Sequence, residues 1–446
     1  MSRRKRLWRR LRGKDRRRIG WKESGRAILL SSYLNAFLIF IPFAWTAHFD
    51  ENWSSGLTFG LCFLSIVGLQ KLFDWAGEQL SFYCGDDLGD LIVITLNNAV
   101  EATLGIILLL KCELKLLQST IIGVILLHLL LVPGTSFLTG GARVQHQHLD
   151  VRRSELNHTL LLVGVMGLVV PAAFFSALDD GFSLEGTEAH AVVTDALRGN
   201  FLKMGRGTAI ILLLVYIGSR IYRHNPPGED EGTTTQQDLH SELIPKEEEL
   251  EQAEPEINPL ACILLLCVTI AIMAGTAEFL VTSIESVREV AGIEEEWFGL
   301  FLLPFVSFSA DGTIAVVYFV RSSFKHYLGK PRPPINIAED RAIDLSIQFT
   351  LFWMPFLVLL GWWTGRPMTL LFDVFEVTIL VASCFLVNYV TADAKTNWAE
   401  GGIMVAFYVI LALSAWFYTG QPEIRFLAVC HDTVAGAIAH GVNHGE

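Results

Sequence analysis

Eleven stretches of this chain are each close to 20 residues long and almost wholly apolar. They cover 28–47, 57–74, 88–110, 117–138, 158–178, 205–222, 259–284, 296–321, 343–364, 369–390 and 402–419. A bilayer span needs about 20 such residues, and in lipid the backbone must satisfy its own hydrogen bonds, so these stretches predict helices. Composition agrees: across 446 residues 52% are hydrophobic and only 18% charged, against about 25% charged in a soluble domain. The expected fold class is an all-α polytopic membrane protein whose first partner is the lipid bilayer. Nucleic-acid binding and a disulfide-stapled secreted module are both disfavoured. Seven cysteines lie mostly in apolar runs without a Cys-x-x-Cys pair, which predicts buried thiols and neither a zinc site nor a disulfide framework.

Charge sets the orientation. Residues 1–26 carry 13 of the 34 Lys and Arg. The apolar run that follows is too long, and lacks the small-residue site, for a cleavable signal peptide, so the basic tail reads as a topogenic signal holding the N-terminus in the cytosol. Contact with anionic lipid or regulation through this tail is the sharper reading. Arg143, Arg152 and Arg153 then fall on the cytosolic side, as do Arg321, Lys325, Lys330, Arg332 and Arg341. Asp179, Asp180, Glu185 and Glu188 fall opposite, together with Glu289, Glu294, Glu295 and Glu296. Residues 229–256 hold 11 Asp and Glu against the single Lys246; such a segment buries too little to fold and reads as a solvated cytosolic linker.

The linker leaves five spans on each side of it after the first. An odd number per half turns the second half upside down relative to the first, as in secondary transporters whose ion site lies between inverted repeats. The expected organisation is a basic tail (1–26), an extra N-terminal helix (27–56), a five-helix repeat (57–224), the acidic linker (225–257), a second repeat (258–419) and a C-terminal tail (420–446). That tail carries His431, His440 and His444 and reads as a surface or docked helix.

A carboxylate at mid-membrane costs roughly 2.5–3.5 kcal/mol and therefore needs a partner or a purpose. The second span of the first half, LNNAVEATLGIILLL, places Asn98 and Glu101 on one helix face with Asn97 beside them. The second span of the second half, LLPFVSFSADGTIAVVYF, places Ser307 and Asp311 four apart, with Ser309 close by. Apposed, these antiparallel helices would offer Glu101, Asp311, Asn98 and Ser307 as oxygen ligands for a hard cation. Burial and a like-charged neighbour raise a carboxyl pKa, so the pair holds protons or a cation in competition, as an exchanger requires. Glu278 lies mid-span among small residues, and His128 and Gln348 lie in the third span of each half; these three read as proton-pathway or supporting groups. Asp373 and Glu376 lie near the non-cytosolic end of the tenth span and read as structural or gating. Pro133, Pro304 and Pro355 predict helix breaks that free carbonyls near the site.

These marks resemble the cation/proton exchanger family, the vacuolar calcium/proton antiporters of the wider calcium–cation antiporter group. LNNAVEATLGIILLL is similar to the family's first repeat motif, and LLLVPGTSFLTGG, AEFLVTSIESV, FGLFLLPFV, MPFLVLLGWW and ADAKTNWAEGGIMVAFYVILAL are further likenesses. The resemblance implies a ten-helix inverted repeat plus one N-terminal helix. It implies export of cytosolic calcium into a vacuole or another acidic organelle against protons, with no cofactor beyond the transported ions. By it Asn98 and Glu101 match ion-site residues, Glu278 matches the acid of the second half's first helix, Asp311 stands where the second motif has Glu, and Gln348 matches a family Gln. The chain departs from the pattern at Asn97 for Gly, His128 for Asn, and Phe308 for the second motif's amide. Those departures make sodium, potassium or manganese exchange, or a relative that no longer transports, the alternatives. A remoter one is a magnesium-dependent intramembrane prenyltransferase, from the Asp86, Asp87, Asp90 and Asp340, Asp344 patterns.

Overall fold

The computed structural model describes residues 19–50, 52–84, 86–141, 147–149, 151–182, 194–224, 255–309, 312–313, 317, 341–430 and 434. Asp311, Asp340, the acidic linker through Glu254, and His431, His440 and His444 lie outside them, as do the side chains of Asp86, Asp87 and Asp90.

The N-terminal segment is two helices, not one. α1 (Trp21–Leu30) and the segment Tyr33–Phe49, which ends in α2 (Phe40–Phe49), meet at 91°. The corner is built from polar side chains: the Asn35 amide donates to the Ile28 carbonyl at 2.9 Å and to the Ser31 hydroxyl at 3.0 Å, closing orphan groups at the end of α1. Trp45 on α2 then donates to Thr276 at 3.1 Å, fixing this extra element to the second half.

The first half begins with α3 (Ser55–Cys84). Its second span is bent by 49° between α4 (Asp86–Asn97) and α5 (Ala99–Lys111). The third is α6 (Leu114–Leu126), a π-turn (Leu127–Leu131) and α7 (Val132–Gly141). α8 (Val151–Phe182) and α9 (Asp195–His224) complete it. The second half opens with α10 (Pro259–Ala291), capped by the Asn258 side chain on the Ala261 N–H at 2.7 Å. α11 (Glu295–Trp297), a π-turn (Phe298–Leu302) and helix over 303–309 form its second span as far as it is described. α12 (Arg341–Gln348), a π-turn (Phe349–Trp353) and α13 (Met354–Trp363) form the third. α14 (Val374–Val390), α15 (Trp398–Ala415) and the short α16 (Pro422–Leu427) follow. Among the described residues, seven helices are long and apolar enough to cross a membrane and two bent pairs pass the same test together.

The three prolines bend the ladder instead of breaking it. Each lies two residues beyond a π-turn: Pro133, Pro304 and Pro355. In each turn the N–H just before the proline bonds five residues back, Val132 to Leu127, Leu303 to Phe298 and Met354 to Phe349. The proline itself has no N–H to give. The carbonyls of His128, Gly299 and Thr350 thereby lose both their usual i+4 donor and any i+5 replacement. This is the physical content of the expectation that prolines free carbonyls here. The same register sets His128 against Thr350, so Gln348 sits two residues earlier than an exact counterpart of His128.

Glycines let the halves interlock. A Cβ on Gly123 would collide with the Leu300 carbonyl and Pro304, and one on Gly299 with Ser119, so α6 and the second half's second span touch backbone to backbone. Gly401 of α15 meets Gly134 and Leu138 of α7 in the same way. The NWAEGG segment also starts α15 with a capping box, Asn397 accepting from Glu400 N–H while the Glu400 carboxylate accepts from Asn397 N–H.

Two features depart from the sequence reading. A two-stranded antiparallel ladder pairs β1 (Gln147–His148) with β2 (Lys395–Thr396), so the all-α description holds for the spans but not for this pair of loops. Cys112 and Cys430 form a disulfide with Cα atoms 6.1 Å apart, where thiols were expected. The remaining described cysteines, Cys62, Cys84, Cys262, Cys267 and Cys384, are free. We refer to the end of the bundle that carries this disulfide as the outer end, and to the end that carries the ladder as the inner end.

Candidate functional site

The bend in the second span is where the site is built. Asn98 occupies the corner between α4 and α5, with φ −92° and ψ 8°. It stands at the N-cap of α5, yet its side chain makes no capping bond. Its amide instead donates to Gln348 Oε1 at 2.8 Å. Gln348 in turn donates to Thr95 at 2.9 Å and to the Tyr216 hydroxyl at 3.0 Å. One amide of each half is thus locked to the other, in fixed orientation, and Asn98 Oδ1 is left buried without a hydrogen-bond partner. A buried carbonyl oxygen in that state is costly, and it is a ready ligand for a cation.

Glu101 follows in the first turn of α5 and is 3% exposed. The bend makes that turn a helix start inside the bundle, whose dipole favours a carboxylate. The buried His128, in the π-turn of the third span, places Nε2 4.0 Å from Glu101 Oε1. The structure therefore brings Asn98, Glu101, His128 and Gln348 together at the crossing of the two halves, with Asn97 half-buried just before the bend.

The other expected residues are placed differently. Ser307 is buried and Ser309 half-buried; their hydroxyls donate within the helix, to Pro304 and Val306 carbonyls at 2.9 and 2.7 Å. Asp311 lies outside the described residues, so its apposition to Glu101 remains an expectation. Glu278 does not join the group: its side chain is 58% exposed and pairs with Lys111 at 3.8 Å. Asp344 is buried. Among the described residues no group of three or more His, Cys, Asp or Glu is arranged to hold a metal ion.

Sequence reasoning missed Tyr216. Its hydroxyl closes the Gln348 network, its ring lies 5.5 Å from that of Phe352, and Arg220 stacks over it at 4.9 Å. The available signal was a lone tyrosine in the aliphatic run LLLVYIG. It missed Lys115 as well, which lies just before the expected start of the fourth span.

An inverted pair of helix bundles with a polar crossing between them is the architecture of a secondary transporter. Comparison with known proteins agrees. The family model for sodium/calcium exchanger proteins matches residues 54–223 and again 261–417, leaving the acidic linker between the two matches. The chain is 32% identical to a vacuolar calcium ion transporter of Schizosaccharomyces pombe, over 88% of this chain and 87% of that one. It is 29% identical to a vacuolar calcium ion transporter of Cryptococcus neoformans, over 92% of this chain and 77% of the other. In fold it resembles the solved structure titled "Structure of native YfkE", with a TM-score of 0.62 at 22% identity, over 85% of this chain and 99% of that one. The chain belongs to the sodium/calcium exchanger protein family, and it is a transporter, not the prenyltransferase that its short acidic patterns left open.

Proposed function

We propose that this protein is a Ca2+/H+ antiporter that moves cytosolic calcium into an acidic organelle, the vacuole first among them. The observation that carries the reading is the Asn98 corner: an orphaned amide oxygen, held by Gln348, one helical turn from the buried Glu101. Names of the relatives supply calcium and the vacuole. Calcium takes six to eight oxygens. Glu101 and Asn98 would supply the first half's share and Asp311 and Ser307 the second's; of the freed carbonyls, that of Gly299 lies eight residues before Ser307, and those of His128 and Thr350 belong to the π-turns of the third spans. Calcium entering from the cytosol would displace protons from the two carboxyls; protons arriving from the organelle would displace calcium there. His128 beside Glu101 would help to pass them. Ser309, Asn97 and Gln348 would act by orienting the ligands, and Glu278, paired with Lys111, would serve at the outer mouth.

The disulfide supports the orientation. It joins two segments that the positive loops place on the non-cytosolic side, where disulfides persist. The domain division at 57–224, 225–257 and 258–419 is supported by the two separate family matches. Regulation through the basic tail remains part of the proposal.

The test is uptake into proteoliposomes with an acid interior, with calcium, manganese, sodium and potassium compared. Calcium uptake abolished by a protonophore supports the reading. Uptake of a monovalent cation alone would replace calcium by that ion, with Phe308, in place of a second amide, as the cause.

A further inference from the structure

A second buried ionic cluster lies at the outer end, away from the crossing. Lys115, in the first turn of α6, is 2.8 Å from Asp373 and 3.7 Å from Glu376. Both acids are completely buried and Lys115 is 5% exposed. Asp373 also accepts from the Tyr418 hydroxyl at 3.1 Å and from the Gln421 N–H at 3.2 Å. Glu376 Oε1 accepts from the Ser119 hydroxyl at 2.6 Å, while Oε2 is buried without a hydrogen-bond partner. A third buried acid, Glu296, acts on Lys115 from α11, and its carboxylate occupies the space that a Cβ on Gly420 would enter. Its neighbour Glu295 is held by Arg288 at 3.7 Å and Arg425 at 3.5 Å, so those arginines answer Glu295 and leave the cluster's charge unbalanced.

Three carboxyls thus face one ammonium in a closed site. If all were ionised, two negative charges would be buried in excess, which a low-dielectric interior does not sustain. The site takes up something positive. A hard cation is disfavoured, because the Lys115 ammonium already stands between the carboxylates and the remaining oxygens fall short of six. Asp373 has both oxygens engaged, Oδ1 by the Lys115 ion pair and Oδ2 by two hydrogen bonds. Glu376 keeps a free buried oxygen.

We propose that Glu376 is an exchangeable proton-holding group at the outer end of the transport path, with Lys115 and Ser119 positioning it. Ser119 and His128 are nine residues apart on α6 and its π-turn, about 14 Å at 1.5 Å per residue and on opposite faces of the helix, and His128 is 4.0 Å from Glu101. An O–H bond forms on the carboxylate as one breaks on a hydronium ion of the outer compartment, and release reverses the transfer to water. The transport role rests on the antiport reading; the bound proton does not.

Two measurements on the full-length protein separate them. The first is infrared difference spectroscopy of the purified protein across pH in D2O. A protonated carboxyl band that titrates in wild type, disappears in Glu376→Gln and reappears shifted in Glu376→Asp is expected; a band unchanged by Glu376→Gln overturns the proposal. The second is calcium uptake against interior pH. Wild type gains rate as the interior is acidified, and Glu376→Gln is expected to lose that gain while its dependence on outside calcium stays put. An unaltered interior-pH profile overturns the proposal even if the band is lost. Wild-type protein that shows the Glu376 band but transports no calcium would support the proton site and overturn the antiport reading instead. Glu376→Asp serves both measurements should Glu376→Gln fail to fold.

Discussion

The two halves reach similar geometry by different chemistry. In the first, the second span bends at Asn98 without a proline, and its polar groups face the crossing: an amide at the corner and a carboxylate one turn later. In the second, the matching span carries a π-turn ahead of Pro304, and its hydroxyls at Ser307 and Ser309 turn back onto their own helix. Where the first half has Asn98, the second has Phe308, half-buried and 5.6 Å from Phe305. The third spans are the closer pair, each with a π-turn closed by a proline. An inverted repeat therefore constrains helix paths more tightly than it constrains ligands, and one half can carry most of the recognition.

The largest expected effect tests that asymmetry. Glu101→Gln should reduce calcium uptake to the level of empty vesicles, while Ser307→Ala leaves substantial uptake; comparable losses would make the halves equal partners. Next comes Gln348→Ala, which releases the Asn98 amide. Removal of such a supporting partner lowers metal affinity by about 10–100-fold, read as the calcium concentration for half-maximal uptake, with maximal rate the less affected. Phe308→Asn should sharpen the comparison by returning an amide oxygen to the second half, raising calcium uptake relative to sodium or potassium in competition assays. Pro133→Ala and Pro355→Ala restore an N–H that can reclaim the His128 or Thr350 carbonyl; matched, moderate losses of uptake would show that both freed carbonyls serve the path. The smallest change is Tyr216→Phe, which deletes one hydrogen bond to Gln348, about 1 kcal/mol, and should weaken calcium affinity about fivefold.

Much of this was readable from one dimension. Apolar runs are a local property, so the seven helices and two bent pairs long and apolar enough to cross a membrane among the described residues all fall on stretches that the sequence marks. Asn98 and Glu101 stand out because polarity inside a span has no local excuse. What escaped depends on distant partners. Lys115 looks like a flanking lysine until Asp373 and Glu376 close over it from more than 250 residues away. Tyr216 is one more aromatic residue until Gln348 reaches it. Glu278 appeared central because it lies inside an apolar run; that its side chain turns away to Lys111 depends on a partner 167 residues earlier. The ladder between Gln147 and Thr396 joins two loops of no strand-like pattern.

The disulfide between Cys112 and Cys430, 318 residues apart, has a mechanical meaning. It ties the turn between α5 and α6 to the segment after α16, so the first half's second span and the far end of the second half share one covalent rim. Whatever opens the outer gate, these two segments travel together. The helices α3 and α10 lie outside that clasp; their long bodies pack against each other and against the bent N-terminal element.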